Sequence, residues 1–118
     1  MDEEESVEQD YLIAAVRRSQ FLREGKSERA NWEYDRLHDL LKNRMRKLPD
    51  RGEAALKRIA QHDDLQVCMH AASALLAVDE DFAIRLLEQI AARKGSGSFT
   101  AEMTLKEWRK GKMREYWA

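Results

Sequence analysis

Apolar residues along this chain recur at steps of three and four, the repeat of a helix with one buried face. Nowhere do they alternate with polar residues long enough for a strand. The first stripe, Val7, Tyr11, Ala14, Ala15 and Leu22, predicts a helix over 6–23, closed by Gly25 where helix C-termini favour glycine. Ser27 offers an N-cap to a second helix. Its stripe is cleaner: Ala30, Tyr34, Leu37, Leu41, Met45 and Leu48. Pro49 stops it, because proline disfavours helical geometry in the residue before it. Asp50 and Glu53 have the spacing of a capping box and open a third helix with Ala54, Leu56, Ile59 and Ala60. Asp63 and Asp64 cap a fourth, with Val67, Ala71, Leu75 and Val78 inward. Asp79 or Asp81 caps a fifth, with Ala83, Leu87, Ile90 and Ala91. The Gly-Ser-Gly-Ser run at 95–98 is the flexible connector, after which Ser98 or Thr100 starts a sixth helix through Ala101, Leu105 and Trp108.

The third and fourth helices are echoed by the fifth and sixth at a spacing of 30: Leu56 with Leu86, Ala60 with Ile90, Ala71 with Ala101, Leu75 with Leu105, Val78 with Trp108. Stacked helical hairpins produce such echoes, each pair covering its neighbour's apolar face. The expectation is one all-α domain over 1–118, a six-helix right-handed α-α superhelix or HEAT-like stack of three hairpins. Residues 1–6 are expected as a frayed acidic start and 112–118 as a basic aromatic tail.

Composition supports helix: one proline and five glycines in 118 residues, with 43% hydrophobic and 36% charged. The net charge of −1 gives no whole-molecule attraction to nucleic acid or to a membrane surface. Its distribution is uneven. Asp2, Glu3, Glu4, Glu5, Glu8 and Asp10 crowd the start, and a basic stretch runs through Lys42, Arg44, Arg46, Lys47, Arg51, Lys57 and Arg58. Solvated helix faces account for most of this. A nucleic-acid-binding helical module is the third-ranked reading. The single cysteine, Cys68, excludes an internal disulfide and suits a reducing compartment. The acidic N-terminus is unlike a signal peptide, and no apolar run reaches the ~20 residues of a membrane span, so a cytoplasmic monomer is expected.

Residues 56–76 resemble a HEAT repeat: an apolar helix, an aspartate turn, Val67, then Ala71-Ala72 and Leu75 in a second helix. Cys68 stands where such repeats carry arginine, which removes one member of their usual arginine–aspartate ladder. More specifically, residues 7 to 111 resemble the bacterial family catalogued as domain of unknown function 2019. The matching positions are Asn31, Tyr34 and Asp35, the Ala71-Ala72 pair, and the run from Ser98 through Trp108 to Gly111. Small HEAT-like proteins of this kind are similar to immunity proteins. The resemblance therefore implies a partner, a cognate toxin encoded by the adjacent gene, such as a nuclease effector of a contact-dependent or secreted system.

Catalytic chemistry finds no foothold in the pattern. His38, His62 and His70 include no pair at the i, i+4 spacing that sets two metal ligands on one helix face. Cys68 and His70 sit about 200° apart on a helix, which reads as a buried cysteine and a surface histidine. No serine lies in a nucleophile elbow, and no phosphate loop follows a strand. No catalytic residue, metal or cofactor is expected. Partner binding is read instead at Glu28, Trp32 and Asp35 on the second helix, where Trp32 falls opposite the apolar stripe. It is also read at the acidic turns, Asp63 and Asp64 lying near Asp79, Glu80 and Asp81 if the hairpins stack in register, and at Trp117 in the tail. Trp108, on the stripe, belongs to the core. A HEAT-type scaffold or regulatory adaptor with another protein partner is the alternative function.

Overall fold

The computed structural model describes residues 3–93, 95 and 97–111, the side chains of Glu3, Glu4 and Pro49 excepted. It is all-helical, with no strand among the described residues. The helices are α1 (Glu3–Arg23), α2 (Ser27–Asn43), α3 (Pro49–Ile59), α4 (Leu65–Leu75), α5 (Glu80–Ala92) and α6 (Ser98–Arg109), with a 3₁₀ turn at Met45–Lys47 between α2 and α3. They pack as sequential pairs, α1 on α2, α3 on α4 and α5 on α6, while α1 also reaches α3 and α4, and α4 touches α5.

Helix α4 is the centre of the molecule. Val67, Cys68, Met69, Ala71, Ala72, Ala74 and Leu75 are all buried, while its polar residues Gln66, His70 and Ser73 share one half-buried stripe. A helix with so narrow a polar stripe needs neighbours on its other sides, and α1, α3 and α5 supply them. Ala71 and Ala72 leave room for those neighbours to come close. Around α4 the large side chains Leu37, Leu41, Leu76 and Leu87 are sealed from water, each contributing about 1.5–3 kcal/mol. Trp108 completes this core on α6, as its place on the stripe predicts.

Some pattern expectations fail for local reasons. Leu22 and Val78 face outward, and Ser19 takes the place of Leu22 on the buried face of α1. Helix α2 does not run on to Pro49. It ends at Asn43, where the Arg44 guanidinium turns back to Asp10 at 2.7 Å. Ser27 is the first residue of α2 and makes no cap bond. Nor does the Asp50–Glu53 capping box form. Leu48 is non-helical, as the residue before a proline tends to be, and Pro49 becomes the first residue of α3, where a missing N–H costs nothing.

Two aspartates do cap as predicted. Asp64 accepts from the amides of Gln66 and Val67, and Asp79 from that of Phe82. Gly25 closes α1 with φ +73 in a Schellman arrangement, Lys26 N–H donating to the Phe21 carbonyl at 2.8 Å. Gly97 is required twice over. Its φ is +93, and a Cβ there would meet Leu65 Cδ2 at 2.3 Å.

The acidic start is not frayed from residue 3 onward, because α1 already includes Glu3. Its carboxylates meet the basic stretch: Glu8 pairs with Arg58 at 2.5 Å and Asp10 with Arg44 at 2.7 Å. The two oppositely charged segments thus face one another within the molecule. Among the described residues no helix is long and apolar enough to cross a membrane.

Candidate functional site

Burial of Leu37, Leu40, Leu41 and Ala30 points one face of α2 at the core. The opposite face is thereby fixed in solvent. At 100° per residue, Glu28, Trp32, Asp35 and Asp39 fall within about 60° of one another on it, all exposed. Trp32 is 64% exposed, so it packs neither against the N-terminal segment nor against a neighbouring hairpin. On its other flank lie Arg29 and Arg36, also exposed, so Trp32 stands between an acidic and a basic edge of this face.

The acidic turns come out differently from the sequence reading. Asp63 and Asp64 lie at the start of α4, while Asp79, Glu80 and Asp81 follow its end. Eleven helical residues, roughly 16 Å of rise, separate the two groups, so they do not form one patch. Asp64 and Asp79 are also committed to the fold. Asp64 accepts from the Ser19 hydroxyl at 2.8 and 2.9 Å and from Arg23 at 3.0 Å, besides its two cap bonds. Burial pushes its carboxyl up, but bonds from Ser19, Arg23 and the Val67 and Gln66 amides outweigh this and hold it below the ordinary range. Asp79 receives the Lys57 ammonium at 2.7 Å, and that bond, with the Phe82 amide, holds its carboxyl down as well. Asp63, Glu80 and Asp81 are the exposed members. Trp117 lies outside the described residues.

A second feature, unseen in the sequence, is a cleft of about 270 Å³. The second helix of each hairpin lines it: Tyr34 and His38 from α2, Gln66, His70 and Ser73 from α4, Thr100 and Thr104 from α6. Arg18 enters from α1. Leu41, Met69 and Ala74 add apolar wall. Its rings are packed together. Tyr34 and His38 have centroids 4.3 Å apart, and His70 lies 5.9 Å from each of them. The Arg18 guanidinium sits over the Tyr34 ring at 5.1 Å.

His70 is a half-buried histidine rather than a surface one, because the polar stripe of α4 on which it sits faces the cleft. Its Nδ1 is hydrogen-bonded to the Tyr11 hydroxyl. Burial pushes the His70 pKa down to about 3, with the charges of Arg18 and His38 acting in the same direction. Burial raises the Tyr11 phenol, against a smaller opposing effect of Arg18. Both rings are thus neutral near pH 7, and which of the two donates follows the His70 tautomer. His38 is also lowered, by burial first and then by Lys42, with Asp35 opposing. Cys68 is buried as expected, and burial raises its thiol, away from the reactive thiolate.

No family model, curated protein or solved structure matches this chain. Function must be argued from the geometry. Among the described residues no group of three or more histidine, cysteine or acidic side chains is placed to hold a metal ion. The cleft escaped the sequence pattern because its residues come from four helices. The available signals were Arg18, at helical steps from Tyr11 and Ala15, and the polar stripe Gln66, His70 and Ser73 on an otherwise apolar helix.

Proposed function

We propose that this chain is a protein-binding module, and specifically an immunity protein that occludes a cognate bacterial toxin in the cytoplasm. The observation that carries the reading is Trp32, 64% exposed on the outer face of α2 among Glu28, Asp35 and Asp39. Exposed tryptophan on a helix face is the residue type that dominates interface energetics, and the carboxylates Glu28, Asp35 and Asp39 on one flank favour a basic partner there, Arg29 and Arg36 lying on the other. A toxin that acts on nucleic acid presents such a surface around its active site. The internal pairing of Arg44 and Arg58 with Asp10 and Glu8 weighs against nucleic acid as the partner itself. An interface of roughly 1,600 Å² is enough for tight inhibition without any chemistry.

The test is co-expression with the product of the adjacent gene and measurement of the complex by surface plasmon resonance. Trp32→Ala is expected to weaken binding by about thirtyfold or more. Joint Glu28→Gln and Asp35→Asn substitutions should slow association and flatten its salt dependence, whereas Glu80→Gln with Asp81→Asn should have less effect. Absence of a complex, or full affinity in Trp32→Ala, refutes the proposal. A stable complex with a neighbour that has no toxic activity points to the adaptor alternative.

A further inference from the structure

The cleft raises a question that the outer face of α2 does not. Arg18 is partly buried, yet among the described residues its guanidinium makes no hydrogen bond and no ion pair; its contact is the face of Tyr34. Loss of water without replacement acceptors is costly for a group with five N–H donors. Acidic residues make up 22 of the 118 in the chain, but none lines the cleft. The charge of Arg18 is left unanswered there.

His70 adds a directed donor. In the tautomer whose Nδ1 accepts from the Tyr11 hydroxyl, which leaves that buried phenol proton satisfied, the neutral ring carries its proton on Nε2. That N–H has no acceptor among the described residues. Beside these polar groups, Leu41 and Met69 offer apolar surface, and the Tyr34 ring offers a flat one. The volume, about 270 Å³, is near the lower end of the roughly 300–1,000 Å³ of small-molecule sites.

We propose that this cleft binds a small organic anion, a carboxylate or phosphate ester, whose charged head meets Arg18 and the Nε2–H of His70 while its apolar body lies against Tyr34, Leu41 and Met69. The anion supplies the acceptors that both donors lack. A guanidinium fork held over an aromatic ring is preorganised for a planar or tetrahedral oxyanion. The site is on the flank of α2 that faces α4, away from Trp32. It does not depend on the identity of any protein partner.

Titration of the intact chain with benzoate and with phenyl phosphate, followed by NMR at constant ionic strength, tests this directly, with chloride as control. Saturable shifts centred on His70 and Thr104 with at least one probe, and none with chloride, are expected. Arg18→Gln should weaken binding about tenfold to a hundredfold. Thr100 is an exposed residue of the cleft wall, so Thr100→Trp should block entry without touching the core, and it serves as the second variant if Arg18→Gln unfolds. Shifts that never saturate, or equal binding by Thr100→Trp and the parent chain, overturn the proposal.

Discussion

Two of the polar contacts that fasten one hairpin to the next differ in how much water reaches them. Between α1 and α4, Tyr11 is bonded to His70, and Ser19 with Arg23 to Asp64. Ser19 there is 1% exposed, and the Asp64 side chain 19%. Between α3 and the start of α5, Lys57 reaches Asp79 at 2.7 Å and lies over the Phe82 ring at 5.0 Å, on the surface. In both contacts an aspartate caps a helix and also draws a cation from an earlier helix. The local chemistry is the same. Burial makes Tyr11 with His70 and Ser19 with Asp64 a seam that water reaches little, Arg23 closing it from the solvent side, while water can replace the partners in the second contact.

The largest expected difference is in acid. His70 has a folded pKa of about 3 against an ordinary 6.5, so the unfolded chain takes up the proton first. Its stability contribution is therefore complete above about pH 6.5 and is lost as pH falls from there toward 3, on the order of 4 kcal/mol across the window. Urea midpoints measured against pH should show this fall. His70→Gln keeps an acceptor for Tyr11 and should flatten it; an unchanged slope would mean that the seam is open to water. Asp64 acts lower down, its contribution being lost only as pH falls from the ordinary carboxylate range through its depressed folded value.

Next in size is Asp64→Ala. It removes the cap of α4 and strands the buried Ser19 hydroxyl, an expected loss of about 3 kcal/mol, or a melting temperature lower by roughly 10 °C. Asp79→Ala removes a cap and an ion pair of the same kind at the surface, and its drop in melting temperature should be at most about half as large. Equal drops in the two variants, read by circular dichroism, would erase the distinction between seam and surface.

Much of the helix plan was legible because its signals are local. Gly25, Asp64 and Asp79 act on their own turn of chain, and their roles in the structure are those that their positions predict. The Asp50–Glu53 box was misread although it too is local, because Pro49 competes for the same helix start. Val78 and Leu22 lie on a stripe by arithmetic but at positions where no neighbouring helix covers them. For the candidate surfaces, the outward direction of Trp32 followed from periodicity alone. The separation of the acidic turns did not, since it depends on both groups lying at opposite ends of α4.

By itself, then, the sequence determined that this chain is helical, where most of its helices lie, and which face of α2 turns outward. Those properties follow from backbone hydrogen bonding and side-chain spacing within a few residues. Only the tertiary structure decided that α4 is covered on all but one side, that His70 is kept neutral against Tyr11, and that Arg18 enters a cleft with no carboxylate in its lining. Position 70 is 59 residues from its hydroxyl partner, and no local pattern encodes a dielectric. Solvent is removed from these groups only when four helices meet around them.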